Sequence, residues 1–261
     1  MSDMIGHTTL DNGITWVHAC HTTERDHLHN SVYYFQSGEK NILIDAGPVS
    51  HRDGIIASIE ETVGEDGVDK TILTKAHIPH SGNLNAFARQ WSDNDLQVFV
   101  SQYPPENPEF FGLPNATMTG MGEGETMDIA GRTFSFIYPP LGDVAYVMWI
   151  FDHETGTLFS ADGFGQYHRA GECDTPGVGP ENVALVDRYY QEMFPWLIYC
   201  IPEEIEAGIG RIFETYGVEY VAPTHGYPIP ASDVDEYREQ LREVLHGMAD
   251  SWSPRTTTSD D

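Results

Sequence analysis

The order of predicted strands and helices is the feature that most constrains the fold of this 261-residue chain. Short apolar runs bounded by turn residues predict strands, and longer segments with apolar residues at helical spacing predict helices. Strands and helices follow one another in two rounds, and two facing sheets with helices on both outer sides fit this order. We therefore predict an α/β fold with four layers, αββα, in one domain over residues 1–250.

In the first round we predict strands at 14–18, 31–38, 40–47, 70–74 and 96–101, and helices at 53–64 and 82–91. A Pro- and Gly-rich segment at 102–124 is predicted to be an excursion. The second round has strands at 131–140, 144–152, 156–162 and 218–226, and helices at 181–217 and 232–250. Pro195 and Pro202 predict kinks or breaks in the long helical segment. The tail at 251–261 is predicted to be disordered.

The charge balance limits the classes of partner. Asp and Glu number 41 against 13 Lys and Arg, for a formal net charge of -28. Such a field disfavours nucleic acid and anionic membrane surfaces as partners. No apolar run is long enough to span a membrane, and the N-terminus lacks the pattern of a signal peptide. We expect a soluble cytoplasmic protein, and its acidic composition resembles that of proteins from salt-loving organisms, with an acidic mesophilic enzyme as the alternative.

Cysteines and the N-terminal histidines give weaker signals. Cys20, Cys173 and Cys200 are dispersed and form no CxxC pair, so buried free thiols are expected. Four histidines are closely but irregularly spaced in a predicted loop, which favours positions at the surface or at the rim of a pocket: His18, His21, His27 and His29. His27 or His29 could still reach into a pocket.

Side chains of metal-binding type fall near the ends of predicted strands: His77, His80, Asp143, Asp162 and His225. In layered α/β folds ligands bind where strands end, so this shared placement predicts a common site. Taken one at a time, each residue also has an ordinary explanation, as a solvated loop histidine or as an aspartate in a turn.

Several segments, in order and spacing, resemble the metallo-β-lactamase superfamily. The loop "TKAHIPHSGNL" (74–84) overlays the family's histidine-rich loop, "LGDVAYVMWIFDHETGTLFSADGFG" (141–165) overlays two further segments, and "VAPTHG" (221–226) overlays the last. The helix "DRYYQEMFPWLI" (187–198) is similar to one in flavodiiron proteins. The chain most resembles the diiron domain of flavodiiron proteins and the related oxygen-binding diiron proteins, which implies a four-layer αββα sandwich.

The resemblance implies roles for four of the residues at strand ends. His77 would be a ligand of a first metal, His80 and His225 would be ligands of a second metal, and Asp162 would bridge the two. His168 follows the bridging position closely and would lie near the site without binding a metal.

Three positions depart from the family's pattern. Lys75 stands at the place of the first histidine, Pro79 at that of the loop aspartate, and Asp143 at that of the third histidine. Proline offers no side-chain ligand, and an ammonium has no lone pair to donate. Asp143 keeps a ligand and shifts the preference towards harder metals.

The resemblance leaves two arrangements open. In one, two divalent metals bind, the first to His77, Asp143 and Asp162 and the second to His80, Asp162 and His225. In the other, Lys75 replaces the first cation and pairs with Asp143 or Asp162, so that one metal or none suffices. Iron is favoured, with zinc or manganese as alternatives, and Asp162 and Lys75 are the candidate catalytic residues.

Three functions follow as expectations. The first is a non-haem iron protein that binds, reduces or senses dioxygen or a similar diatomic, with electrons from a partner protein and no flavin in this chain. The second is a metal-dependent hydrolase of an ester or thioester. The third is a non-catalytic member of the family. The resemblance also implies a homodimer.

Overall fold

The structure is a computed structural model that describes residues 4–103, 113, 116–173 and 183–251. The domain boundary at residue 250 stays a prediction, and residues 252–261 of the predicted tail lie outside the described residues. The same holds for 104–112 and 114–115 within the predicted excursion. None of the helices in the described ranges is long and apolar enough to cross a membrane.

The first sheet has its described strands in chain order, from β1 to β7. They are β1 (Met4–Thr9), β2 (Thr15–Thr22), β3 (His27–Ser37), β4 (Lys40–Ile44), β5 (Lys70–Ile72), β6 (Leu96–Ser101) and β7 (Ala116–Met121). Strands β1 to β4 pair antiparallel, whereas β4 to β7 pair parallel.

The second sheet has the order β12-β11-β10-β9-β8 among the described strands. These are β8 (Thr126–Ile129), β9 (Arg132–Ile137), β10 (Trp149–Asp152), β11 (Thr157–Phe159) and β12 (Tyr220–Ala222). Only the β11–β12 pair is parallel among them, which brings the carboxyl ends of these two strands to the same edge.

The described helices lie on the two outer sides. They are α1 (Arg52–Val63), α2 (Ile78–Ser81), α3 (Leu84–Gln90), α4 (Val183–Met193), α5 (Pro202–Tyr216) and α6 (Val234–Ser251). A 3₁₀ helix at Pro195–Tyr199 separates α4 from α5, and Pro202 is the first residue of α5. The predicted breaks at Pro195 and Pro202 are therefore confirmed.

Three apolar clusters hold the layers together. Side chains of both sheets fill the space between them, among them Trp16, Phe35 and Phe159. The outer face of the first sheet packs against α1 and α3, and that of the second sheet packs against α4, α5 and α6. Because side chains alternate along a strand, neighbours such as Trp16 and Val17 serve different clusters. The predicted four-layer αββα fold is confirmed.

Some element boundaries differ from the prediction. Strands β1, β7 and β8 were not predicted; β7 is mostly exposed, so its sequence lacks the apolar pattern of a buried strand. The predicted strand at 144–152 begins only at Trp149. The preceding residues cross to the first sheet, where Val147 bridges to Lys75 and the Met148 amide donates to the Thr74 carbonyl at 2.7 Å.

Candidate metal centre

The ends of β5, β11 and β12 converge on one buried site. Lys75 follows β5 and His80 lies in the short helix α2, while Asp162 and His225 follow the parallel strands β11 and β12. The Val147 bridge holds the segment after Asp143 against Lys75. Four of the predicted residues, Asp143, Asp162, His80 and His225, thus meet at the ends of strands.

Two histidines face one oxygen of Asp162. The Nε2 atom of His80 lies 3.1 Å from Asp162 Oδ1, and the Nε2 atom of His225 lies 3.2 Å from the same oxygen. All three residues are buried, and their donor atoms lie within 4.8 Å of one another. They form one of two groups of this kind among the described residues.

The outer ring nitrogens of both histidines are already engaged. His80 Nδ1 lies 2.9 Å from Asp45 Oδ2, and His225 Nδ1 donates to the carbonyl of His29 at 2.7 Å. A hydrogen bond at Nδ1 sets the tautomer and directs the Nε2 lone pair to the site. Both imidazoles are thereby oriented as metal ligands.

Asp45 is the residue that orients His80, and the sequence analysis missed it. Its carboxylate also accepts from the Thr74 amide at 2.8 Å and from the hydroxyls of Thr74 and Thr224, each at 2.8 Å to Oδ2. Its φ of 61° is left-handed, a region in which aspartate is among the few non-glycine residues found regularly. The available signal was its position after the apolar run of β4.

These residues fit a metal ion. Ligand atoms about 2.1 Å from a metal and at right angles to each other lie about 3 Å apart, close to the two distances from Asp162 Oδ1. Two histidines and one carboxylate form the facial set of non-haem iron sites. His80, Asp162 and His225 could therefore hold one ion and leave coordination positions open.

Lys75 contacts the other side of the same carboxylate. Its Nζ donates to Asp162 Oδ2 at 2.6 Å and to Asp143 Oδ2 at 2.5 Å. The Lys75 side chain is 4% exposed and that of Asp143 is 22% exposed. The ammonium therefore pairs with both carboxylates, and Asp162 lies between one cation and two imidazoles.

Neighbouring groups of opposite charge shift the pKa values of Lys75, His80 and Asp162 towards their charged forms. Burial lowers the pKa of Lys75, but Asp162 and Asp143 outweigh burial and raise the pKa overall, so the side chain stays an ammonium and not a ligand. Burial likewise lowers the pKa of His80, but Asp45 and Asp162 raise it to about 9. Burial raises the pKa of Asp162, yet His80 and His225 hold it well below its usual value. Without a metal, His80 therefore carries a second proton at neutral pH, and a metal ion bound at its Nε2 atom would take the place of that proton.

His77 does not join this group. It precedes α2 as its N-terminal flanking residue and is exposed, as is Ile78 beside it. The structure thus brings Asp143 and Asp162 together around Lys75 Nζ, not around His77. Pro79 is partly buried in the first turn of α2, a position that suits a residue without an amide hydrogen.

Two tyrosines of helix α4 form hydrogen bonds with the loop that carries Asp162. Ala161 and Phe164 have left-handed φ values of 51° and 61°. The Tyr189 hydroxyl donates to the Asp162 carbonyl at 2.8 Å, and the Tyr190 hydroxyl accepts from the Phe164 amide at 2.8 Å. Both tyrosines are fully buried, which confirms their predicted core positions.

A second group of side chains corrects two expectations. Cys20 and Cys173 are bonded as a disulfide, so the prediction of free thiols is wrong for this pair, and Cys200 is free and partly buried. His18 and His29 are buried and not at the surface, because β2 and β3 run through this segment. His168 lies 3.2 Å from Cys20 Sγ and so packs against the disulfide.

We expect Asp45→Asn to weaken metal binding at His80, Asp162 and His225 by about 10–100-fold, because loss of an orienting carboxylate has this effect in metal sites. Asparagine tolerates the left-handed backbone, so the fold should persist. Calorimetric titration of the metal-free protein with ferrous iron measures the change. Asp53→Asn, on the exposed side of α1, is the matched control and should bind iron as tightly as the wild type does. Equal iron affinities for the wild type, Asp45→Asn and Asp53→Asn would contradict the role of Asp45.

The amino-acid sequence is similar to those of longer proteins from methanogens. It is 24% identical over 208 residues to the coenzyme F420H(2) oxidase of Methanocaldococcus jannaschii, covering 75% of this chain and 49% of that protein. The chain thus spans about half the length of the curated relatives it matches.

Solved structures share the fold. A mutant flavo di-iron protein from Thermotoga maritima superposes with a TM-score of 0.80 at 17% identity, covering 95% of this chain and 63% of the other. A fragment of a putative diflavin flavoprotein from Nostoc gives a TM-score of 0.76 at 14% identity, covering 95% and 98%. At these identities the likeness concerns the fold alone.

The sequence model of the metallo-beta-lactamase superfamily matches residues 25–170, which is more than half of the chain. This range includes Lys75, His80, Asp143 and Asp162. With its αββα fold and its similarity to the diiron domains of flavodiiron proteins, the chain belongs to the metallo-β-lactamase superfamily.

Proposed function

We propose that this protein holds one iron ion at His80, Asp162 and His225 and binds dioxygen or a similar diatomic molecule there. The observation that carries the proposal is the convergence of two oriented imidazoles on one oxygen of a buried carboxylate. Ferrous iron in such a facial set supplies open coordination positions and electrons for chemistry with dioxygen. The predicted first metal is replaced, in this proposal, by the ammonium of Lys75.

Lys75 has two roles in this proposal. Its positive charge balances Asp143 and Asp162, which keeps Asp162 Oδ1 directed to the two histidines. Two of its three N–H groups donate to these carboxylates, which leaves one donor for a small ligand. Lys75 would therefore hydrogen-bond the bound diatomic, and Asp162 would position both the metal and the lysine.

A route for small molecules leads to Asp143. Its side chain is partly exposed and lines a surface cleft together with Tyr103, Tyr138 and Val147. Its Oδ1 atom is buried without a hydrogen-bond partner among the described residues. A small ligand entering from the cleft would reach Asp143 before it reached Lys75.

The relatives' names support a redox function. The matched proteins of two methanogens are named as oxidases of coenzyme F420H2. Reduction of dioxygen needs electrons, and we propose that a separate donor protein or reduced cofactor supplies them to this chain. We also propose that two copies of the chain pair, as the family resemblance implies.

Reconstitution with iron tests the proposed function. Metal-free protein treated with ferrous iron without oxygen should bind about one iron per chain, since the proposed site has three protein ligands and one ion. Exposure to dioxygen should then change the visible absorption. Elemental analysis gives the stoichiometry, and the spectrum gives the reactivity.

Other outcomes would identify the alternatives. Preferential binding of zinc with turnover of esters or thioesters would favour the hydrolase. Absence of bound metal after growth and reconstitution in metal-rich medium would favour a non-catalytic member of the family. Two irons per chain would contradict the replacement of the first metal by Lys75.

A further inference from the structure

A second group of potential ligands lies outside the candidate metal centre. Cys20 is on β2, His27 begins β3, and His168 pairs with His27 through a backbone bridge. Cys173 follows five residues after His168 and completes the group. Three of the four residues are buried and His27 is partly buried.

The four nitrogen–sulfur distances are close to the edges of a tetrahedral zinc site, whereas the two sulfurs are bonded to each other here and would have to separate to bind an ion. Cys20 Sγ is 3.4 Å from His27 Nδ1 and 3.2 Å from His168 Nε2. Cys173 Sγ is 3.5 Å from His27 Nδ1 and 3.4 Å from His168 Nε2. With Zn–S near 2.3 Å and Zn–N near 2.05 Å, the corresponding edges of a tetrahedron are about 3.6 Å. All four contacts therefore agree with one shared ion.

We propose that the reduced thiolates of Cys20 and Cys173, together with His27 and His168, bind one zinc ion. The disulfide and the zinc site are alternative states of the same pair, because each uses both sulfurs. Passing from the disulfide to the thiolates takes two electrons, which a thiol or phosphine reductant supplies. The metal then replaces the covalent link between the same two segments.

The imidazoles suit this role. The His168 ring is fully buried, and its Nε2 atom contacts both sulfurs. Its ring also stacks on that of His29, with centroids 4.0 Å apart. This stacking restrains the orientation of the His168 ring, whose Nε2 atom contacts both sulfurs.

The proposed zinc site adjoins the candidate metal centre through His29. The His29 ring nitrogen Nε2 contacts the Cys173 carbonyl at 2.7 Å, while the His29 carbonyl accepts from His225 Nδ1 at 2.7 Å. The Gln166 amide, two residues before His168, donates to the His225 carbonyl at 2.9 Å. A zinc ion at the Cys2His2 group would thus brace the two segments that hold His225 in place.

Cobalt binding to the reduced protein tests this proposal. After treatment with a phosphine reductant under native conditions, cobalt(II) should produce the intense near-ultraviolet absorption of a thiolate–cobalt bond and the visible bands of a tetrahedral site. His80, Asp162 and His225 contain no sulfur, so the near-ultraviolet band distinguishes a cysteine ligand from the candidate metal centre, and the Cys200→Ser variant excludes the third cysteine. Zinc should displace cobalt and abolish the bands, because zinc prefers tetrahedral sulfur and nitrogen ligands.

Variants assign the ligands. Cys173→Ser should abolish the thiolate band or weaken cobalt affinity at least tenfold, and His168→Ala should shift the visible bands and weaken affinity by a similar factor. Cys200→Ser, at the free cysteine, is the matched control and should leave both unchanged.

Two results on the wild-type protein would overturn the proposal without relying on any variant. One is a reduced, folded protein with titratable thiols but no thiolate–cobalt band. The other is a disulfide that stays intact in the native protein under the reductant, because the pair would then be a permanent cross-link. Circular dichroism establishes that the protein tested is folded.

Discussion

Replacing Lys75 with methionine should lower the free energy of unfolding by about 3–5 kcal/mol, the usual effect of removing one partner from a buried ion pair. Methionine preserves much of the side-chain volume but removes the ammonium that contacts both Asp143 and Asp162. Asp162 would then be a buried carboxylate without its ammonium. Urea denaturation in the presence of a chelator measures the loss, since a bound metal would mask it.

An exposed ion pair provides the control for this effect. Lys40 Nζ donates to Asp69 at 2.7 Å, nearly the same distance, but the Lys40 side chain is 46% exposed. Lys40→Met should therefore lower the free energy of unfolding by less than about 1 kcal/mol. Equal small losses in both variants would mean that Lys75 does not balance the charge of the site.

A double substitution separates charge from packing. If the cost of Lys75→Met comes from uncompensated charge, then adding Asp143→Asn should recover part of the loss, because one of the two carboxylates becomes neutral. If the cost comes from packing, the two effects should add.

Most of the fold could be predicted from the sequence because burial produces periodic apolar patterns. Strand β6 and helix α5 carry such patterns and lie where predicted. Strand β7 lies at the edge of the first sheet and is largely exposed, so its sequence shows no such alternation. The segment at 144–148 is apolar, yet it crosses between the sheets to reach Lys75, a long-range contact that periodicity does not encode.

The candidate site was predictable only in part. His80, Asp162 and His225 follow strands, and the geometry of sheets brings strand ends together. His77 fits the same pattern, but it precedes α2 and is exposed, whereas His80 lies within α2 and is buried against Asp162. The partner of a buried histidine can be any distant carboxylate, so nothing local to Asp45 identified it as the partner of His80.

The cysteine pair shows a second limit of the sequence. Cys20 and Cys173 are separated by 153 residues, and the intervening chain contains no spacing motif that links them. His27 and His168 come together only through the backbone bridge between β3 and the loop after Asp162. A ligand group assembled from three separate segments of the chain leaves no signature in its spacing.

Replacing His80 or His225 with alanine should weaken iron binding by at least ~100-fold, more than the loss of an orienting residue costs, because each substitution removes one of three proposed ligands. The two variants remove different hydrogen bonds around the site. Both variants remove an imidazole from Asp162, but His80→Ala also leaves Asp45 without its imidazole partner, whereas His225→Ala also frees the His29 carbonyl. Agreement between them would therefore locate the loss at the metal and not in the surrounding fold. Iron content after anaerobic reconstitution and gel filtration is the measurement.

His246→Ala is the matched control for these variants. His246 lies on α6 and its Nε2 atom hydrogen-bonds Glu206 at 2.7 Å, so its loss removes an imidazole and one hydrogen bond from the outer helical layer. This variant should keep the iron content of the wild type. Retention of full iron content in both His80→Ala and His225→Ala would refute the proposed ligand set. Loss in only one of them would show that the ion is held by a different group of ligands, in which Asp162 binds with a single histidine and a residue such as Asp143.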